Sequence, residues 1–208
     1  MPSTATLLGF AAVALAMVLT PGLNMIYLIG RSITQGRFAG YVSLLGVAAG
    51  FVVYMLAAAF GITALLFAVP HAYDALRFAG AAYLLWLAWQ ALRGPGIPLR
   101  PGTLPAHGTR KLFLMGLLTN LLNPKIAALY LALLPQFIDP AGDVLGQSLM
   151  LGMVQIAVSV AVNAAIVTLA GGVAAFLVTR PAWQRVQRWL MATVLAGLAI
   201  RLATERAR

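Results

Sequence analysis

The chain has 208 residues, of which 62% are hydrophobic and only 9% charged, and its mean hydropathy is +0.94. A soluble domain carries about 25% charged residues, so a water-facing globule is excluded. The net charge of +10 resides mostly between the apolar runs, a pattern that orients membrane helices rather than gripping phosphates, so nucleic acid is excluded as a partner.

A bilayer crossing needs roughly 20 mostly apolar residues in a helix. Within hydrocarbon only a helix or a closed barrel satisfies its own backbone. Barrel strands would alternate apolar and polar residues, and runs such as 48–69 do not. The first span is predicted at residues 5–29. No Lys or Arg precedes it and it stays apolar past Pro21, so it is expected to be retained rather than cleaved. The second span is predicted at 41–67, with Gly46 and Gly50 spaced for close helix packing. The third is predicted at 72–92, where Tyr83, Trp86 and Gln90 share a face and read as an interfacial anchor. A basic link rich in Pro and Gly follows at 94–110. Three more runs are predicted at 112–134, 144–178 and 183–202.

The expected architecture is an all-α integral membrane protein with six transmembrane helices. It forms a single domain over residues 1–208, with halves at 1–93 and 111–208. Loops one, three and five hold nine basic residues: Arg31 and Arg37, then Arg93, Arg100, Arg110 and Lys111, then Arg180, Arg185 and Arg188. Loops two and four offer His71, Asp74, Asp139 and Asp143. The positive-inside rule places the odd loops in the cytoplasm and both termini outside. The tail, with Arg201, Arg206 and Arg208 against Glu205, runs the other way. Three spans per half force opposite orientations, so a 3+3 inverted repeat is expected.

The first span of each half is broken by proline: Leu19-Thr20-Pro21-Gly22-Leu23-Asn24 in one, Leu122-Asn123-Pro124-Lys125 in the other. Proline removes a donor, clashes with the preceding turn and drives the residue before it out of the helical region. Thr20 and Asn123 occupy that position and are good N-caps, and proline suits the first helical position after a cap. Each site reads as the end of one half-helix and the start of another. The alternative is a simple kink. A half-helix start exposes backbone amides that attract anions. Such a break survives in a membrane only inside protein or on a cavity.

Lys125 is the charged residue deep within an apolar run. A charge at that depth faces a cavity or a partner, where it would hold a carboxylate together with the half-helix amides. Otherwise it snorkels toward the cytoplasm. Asn24 and Asn120 lie within about a turn of the breaks. Gln155, Ser159 and Asn163 recur every four residues, so they share one helix face. That stripe serves substrate contact or interhelical hydrogen bonding equally well. The candidate binding set is therefore Thr20, Pro21, Gly22, Asn24, Asn120, Asn123, Pro124, Lys125 and Gln155. No cofactor or metal is expected. The chain has no cysteine, and no His, Asp or Glu falls well inside a span, Asp74 lying at the edge of the third, so a membrane-embedded enzyme is not expected.

These segments resemble the LysE/RhtB lysine-exporter family. The resemblance rests on Thr20-Pro21-Gly22-Leu23-Asn24-Met25, Arg31-Ser32, Gln35-Gly36 and Gly80-Ala81-Ala82-Tyr83-Leu84-Leu85-Trp86 with Ala91-Leu92-Arg93. It continues through Gly116, Asn120-Leu121-Leu122-Asn123-Pro124-Lys125 and Leu134-Pro135-Gln136-Phe137, and thins after Gly152. The third position of a family Pro-Gly-Pro is Leu23 here, which removes a rigid element from the first turn. The resemblance implies a transporter in a bacterial cytoplasmic membrane that exports amino acids or their derivatives in exchange for protons. The glycine-rich faces would allow a homodimer. Metal-cation export and a non-catalytic scaffold are the alternatives, and cation export would call for carboxylate or thiolate ligands.

Overall fold

The computed structural model describes residues 1–68 and 105–170, with isolated helical positions between 78 and 89 and between 186 and 200. Apart from those positions, the third and sixth spans lie outside the described residues. So do His71, Asp74, Tyr83, Gln90, Arg93, Arg100, Arg180, Arg185, Arg188, the tail and residues 171–178 of the fifth run. Among the described residues every element is helical and none is a strand.

Helix α1 spans Thr4–Leu19, with Ser3 as its N-cap: the Ser3 hydroxyl accepts from Thr6 N at 3.1 Å. Its 16 residues reach only about 24 Å, short of the roughly 30 Å hydrocarbon core. Pro21 ends it, and Thr20 is extended, with φ −75° and ψ 126°. Helix α2 begins at once and runs over Leu23–Ala68.

The first loop is where the structure departs from expectation. Residues 30–40 are helical, and α2 breaks only at Gly36, with φ 84° and ψ 169°. That region is open essentially to glycine alone. A Cβ on Gly36 would meet nothing within 4 Å, so backbone geometry rather than crowding calls for glycine. Arg31, expected in a loop, is only 3% exposed. Helix propensity carries through because its polar side chains find partners across the link. The Arg31 guanidinium donates to Pro105 O at 3.0 Å and to Gln35 Oε1 at 3.1 Å, and Gln35 Nε2 donates to His107 O at 3.0 Å.

Helix α3 spans Thr109–Leu121 and α4 spans Pro124–Ala128. A π turn at Leu129–Leu133 and a 3₁₀ turn at Leu134–Phe137 continue α4. The whole arm Pro124–Phe137 bends 50° from α3. Helix α5 spans Val144–Thr168, capped by Asp143, whose carboxylate accepts from Gly146 N at 2.9 Å. The expected end of the run at 178 lies outside the described residues. The 25 residues of α5 already cover about 37 Å, enough to cross the bilayer core. Among the described residues two helical stretches, Leu23–Thr63 and Val144–Thr168, are long and apolar enough to cross a membrane, and the bent α3–α4 arm makes a third if counted as one span.

Helix α2 packs against both α3 and α5, and α1 packs against α5. The α2–α3 contact is a backbone approach. A Cβ on Gly46 would collide with Phe113 O, and one on Gly116 would collide with Ser43 O. Phe10, Leu28, Phe51, Tyr130, Leu133 and Leu151 are fully buried. The Phe10 and Phe137 rings meet edge to face at 5.1 Å and tie α1 to the 3₁₀ turn. The exterior carries Leu45, Phe60, Leu118, Leu122 and Met153, while Ser43, Asn120, Asn123, Gln155, Ser159 and Asn163 are buried. Apolar side chains outside and amides inside suit a lipid solvent.

Candidate functional site

At the first break, α1 ends with carbonyls that have no helical partner. Ala16 O is taken by Thr20 N at 3.3 Å and by the Thr20 hydroxyl at 2.8 Å. Met17 O and Thr20 O are taken by another element: the Lys125 ammonium donates to them at 2.9 and 2.7 Å. A cation at a helix C-terminus meets the negative end of the macrodipole, and such charge-assisted bonds are each worth about 1.5–3 kcal/mol. Gly22 leaves room for the crossing, since a Cβ there would sit 3.0 Å from Lys125 Nζ and 3.2 Å from its Cε and crowd the side chain.

At the second break, α4 satisfies its own start. Asn123 is extended and its Oδ1 accepts from Lys125 N at 3.0 Å, while Asn123 O accepts from Ile126 N and Ala127 N. The ammonium expected to sit over these amides, ready for a carboxylate, points elsewhere. Side chains on a helix lean toward its N-terminus, which carries the Lys125 stem back across the break to the end of α1.

Between the breaks lies a cavity of about 20 Å³, the room of a single water. Its wall is built from Ala14, Met17 and Val18 of α1, Asn24, Met25 and Phe51 of α2, Lys125 and Ile126 of α4, Leu129, and Gln155, Ser159 and Asn163 of α5. Among the described residues Lys125 is its one ionisable residue. The α5 stripe faces this wall, and most of its polar capacity is spent within the protein. Gln155 Nε2 donates to the Ser159 hydroxyl at 2.8 Å, and Gln155 Oε1 accepts from the Tyr130 hydroxyl at 2.6 Å. Asn163 Nδ2 donates to Ser159 O at 2.8 Å.

Of the candidate set, Asn24, Lys125 and Gln155 form the cavity wall. Thr20, Pro21 and Gly22 shape the break beside it, and Pro124 opens α4. Asn123 is buried as a cap. Asn120 is fully buried against Gly50 and is not part of the wall. Tyr130 was not anticipated. Its ring stacks on Tyr54 at 5.6 Å and its hydroxyl holds Gln155. The available signal was a phenol inside an apolar run, which needs a buried partner.

The LysE type translocator family model matches residues 15–206. The chain belongs to this family. The homoserine/homoserine lactone efflux protein of Salmonella typhimurium is 33% identical over 159 residues, covering 76% of this chain and 77% of the relative. The leucine efflux protein of Enterobacter sp. is 29% identical over 196 residues, 92% of each chain. A membrane protein of Vibrio cholerae whose function is not named is 28% identical over 202 residues, covering 96% of this chain and 97% of the relative. No solved structure gives a significant match. In this LysE translocator the matched region contains both breaks, the cavity wall and the α5 stripe.

Proposed function

We propose that this LysE translocator exports amino acids or amino-acid derivatives across a bacterial cytoplasmic membrane in exchange for protons, through the cavity between the two helix breaks. The observation that carries the reading is the meeting of two broken spans and a polar helix stripe on one small cavity. Irregular backbone at membrane depth is tolerated where it lines such a space. The relatives named for homoserine, homoserine lactone and leucine efflux support the substrate class.

The cavity has room for about one water, so an amino acid is accommodated only as its walls part. The Lys125 clasp on α1 is the polar contact across the breaks, and it is the one that yields. Two of the three ammonium protons are committed to α1. The third is available to a carboxylate. Lys125 also carries the proton exchange, as the ionisable residue on the wall.

The six-span, 3+3 inverted organisation and the placement of both termini outside belong to the same proposal, and the basic loops support them. A strain that overexpresses the full chain tests the function on a panel of toxic amino-acid analogues. The expected result is resistance to particular analogues with a lower intracellular level of each. Unchanged growth and unchanged analogue content across the panel contradict export.

A further inference from the structure

The polar wall of the cavity is unevenly spent. Gln155 uses both ends of its amide, and Lys125 uses two donors. Two acceptors are left. Asn24 is 7% exposed and Asn163 2% exposed, and the Oδ1 of each is buried without a donor. The orientation of Asn163 is fixed, because its Nδ2 donates to Ser159 O, so the unpaired atom is the carbonyl oxygen. The two residues come from neighbouring segments: Met25 and Ile29 of α2 pack against Ile166, with Val162 beside them. Both residues line the same cavity.

A buried carbonyl oxygen without a donor is costly, and a pair of them on one wall calls for a ligand rich in donors. Neutral amide oxygens without a carboxylate suit a primary ammonium rather than a divalent cation. We infer that Asn24 and Asn163 form a primary-ammonium subsite that reads the free amino group of the substrate. The carboxylate, met by the one spare proton of Lys125, is the lesser determinant. This deepens the export reading and rests on it for the substrate class.

The order of selectivity follows. Acylating the amino group removes two charge-assisted hydrogen bonds and weakens binding about 100-fold. Masking the carboxylate as an amide leaves a neutral carbonyl acceptor for Lys125 and removes only the charge assistance, which weakens binding about tenfold or less. The test is the full-length protein in detergent, with leucine, leucinamide and N-acetylleucine as probes. Affinity is read from thermal stabilisation, alongside uptake of radiolabelled leucine into proteoliposomes.

The expected ranking is leucine, then leucinamide, with N-acetylleucine far behind. Asn24→Leu weakens leucine and leucinamide about tenfold and leaves N-acetylleucine unchanged. Asn24→Asp, near the start of α2 where a negative charge is favoured, tightens leucinamide about tenfold. N-acetylleucine binding as well as leucine would mean that the two oxygens hold only water, and would overturn the subsite. Stabilisation by none of the three would overturn it too. The expected ranking without any uptake would uphold the subsite and remove the export reading.

Discussion

The two proline breaks share a motif and differ in how they are satisfied. The second caps itself. Asn123 supplies both the side-chain and the backbone acceptors for the first turn of α4. The first leaves the carbonyls of Met17 and Thr20 to a side chain from the other half of the chain, the Lys125 ammonium. A self-contained cap keeps its geometry whatever its neighbours do. A cap borrowed from another helix lasts only while the two helices stay together. In the proposed transport cycle the second break would be the fixed element and the first the one that changes as the cavity opens.

The largest effect is expected where the borrowed cap is removed. Lys125→Met keeps the length of the side chain and deletes the donor, and uptake by everted vesicles should fall at least about 100-fold, because the contact to the substrate carboxylate and the proton-carrying group are lost together. Lys125→Arg separates the two roles of this residue, because guanidinium does not titrate. Amino-acid counterflow should persist in that variant and pH-driven uptake should be lost. pH-driven uptake equal to that of the unmodified protein in both variants would place the proton step elsewhere.

A smaller effect is expected at Gly22. Gly22→Val puts carbon where Lys125 Nζ passes at 3.0 Å, so it strains the clasp without removing it. Uptake should drop about tenfold, on the order of one lost charge-assisted hydrogen bond. The smallest effect belongs to the self-capped break. Asn123→Ala removes one cap bond and should cost about 1 kcal/mol of stability, visible as a lower unfolding midpoint with uptake nearly unchanged. Asn123→Ser, which restores an acceptor, should recover most of that loss. A larger transport defect in Asn123→Ala than in Gly22→Val would reverse the comparison.

Much of this was legible in the residues. Thr20-Pro21 and Asn123-Pro124 announce their breaks through local chemistry, because a proline and a capping residue act on their own turn. The spacing of Gln155, Ser159 and Asn163 marks one face of α5 by helix periodicity alone. Contacts that depend on a distant partner were not legible. The reach of Lys125 to α1 spans more than 100 positions of chain, and no local pattern records it. Arg31 looked like a loop charge because the carbonyl that accepts from it lies at Pro105. Tyr130 carries no specific signal of its own in the sequence, because a phenol in an apolar run reads as core until the amide that partners it, Gln155, is known.

The central claim is that the cavity between the breaks is where the substrate sits. The chain has no cysteine, so single introduced thiols report cleanly. Ser159→Cys is nearly isosteric and lies on the cavity wall, and Met153→Cys on the same helix lies on the exposed apolar face. Both are to be labelled in vesicles with a small thiol reagent, with and without leucine or homoserine. The account predicts that either amino acid slows labelling at position 159 and leaves position 153 unchanged. Equal labelling at 159 in the presence and absence of an amino acid that the same vesicles transport would contradict it.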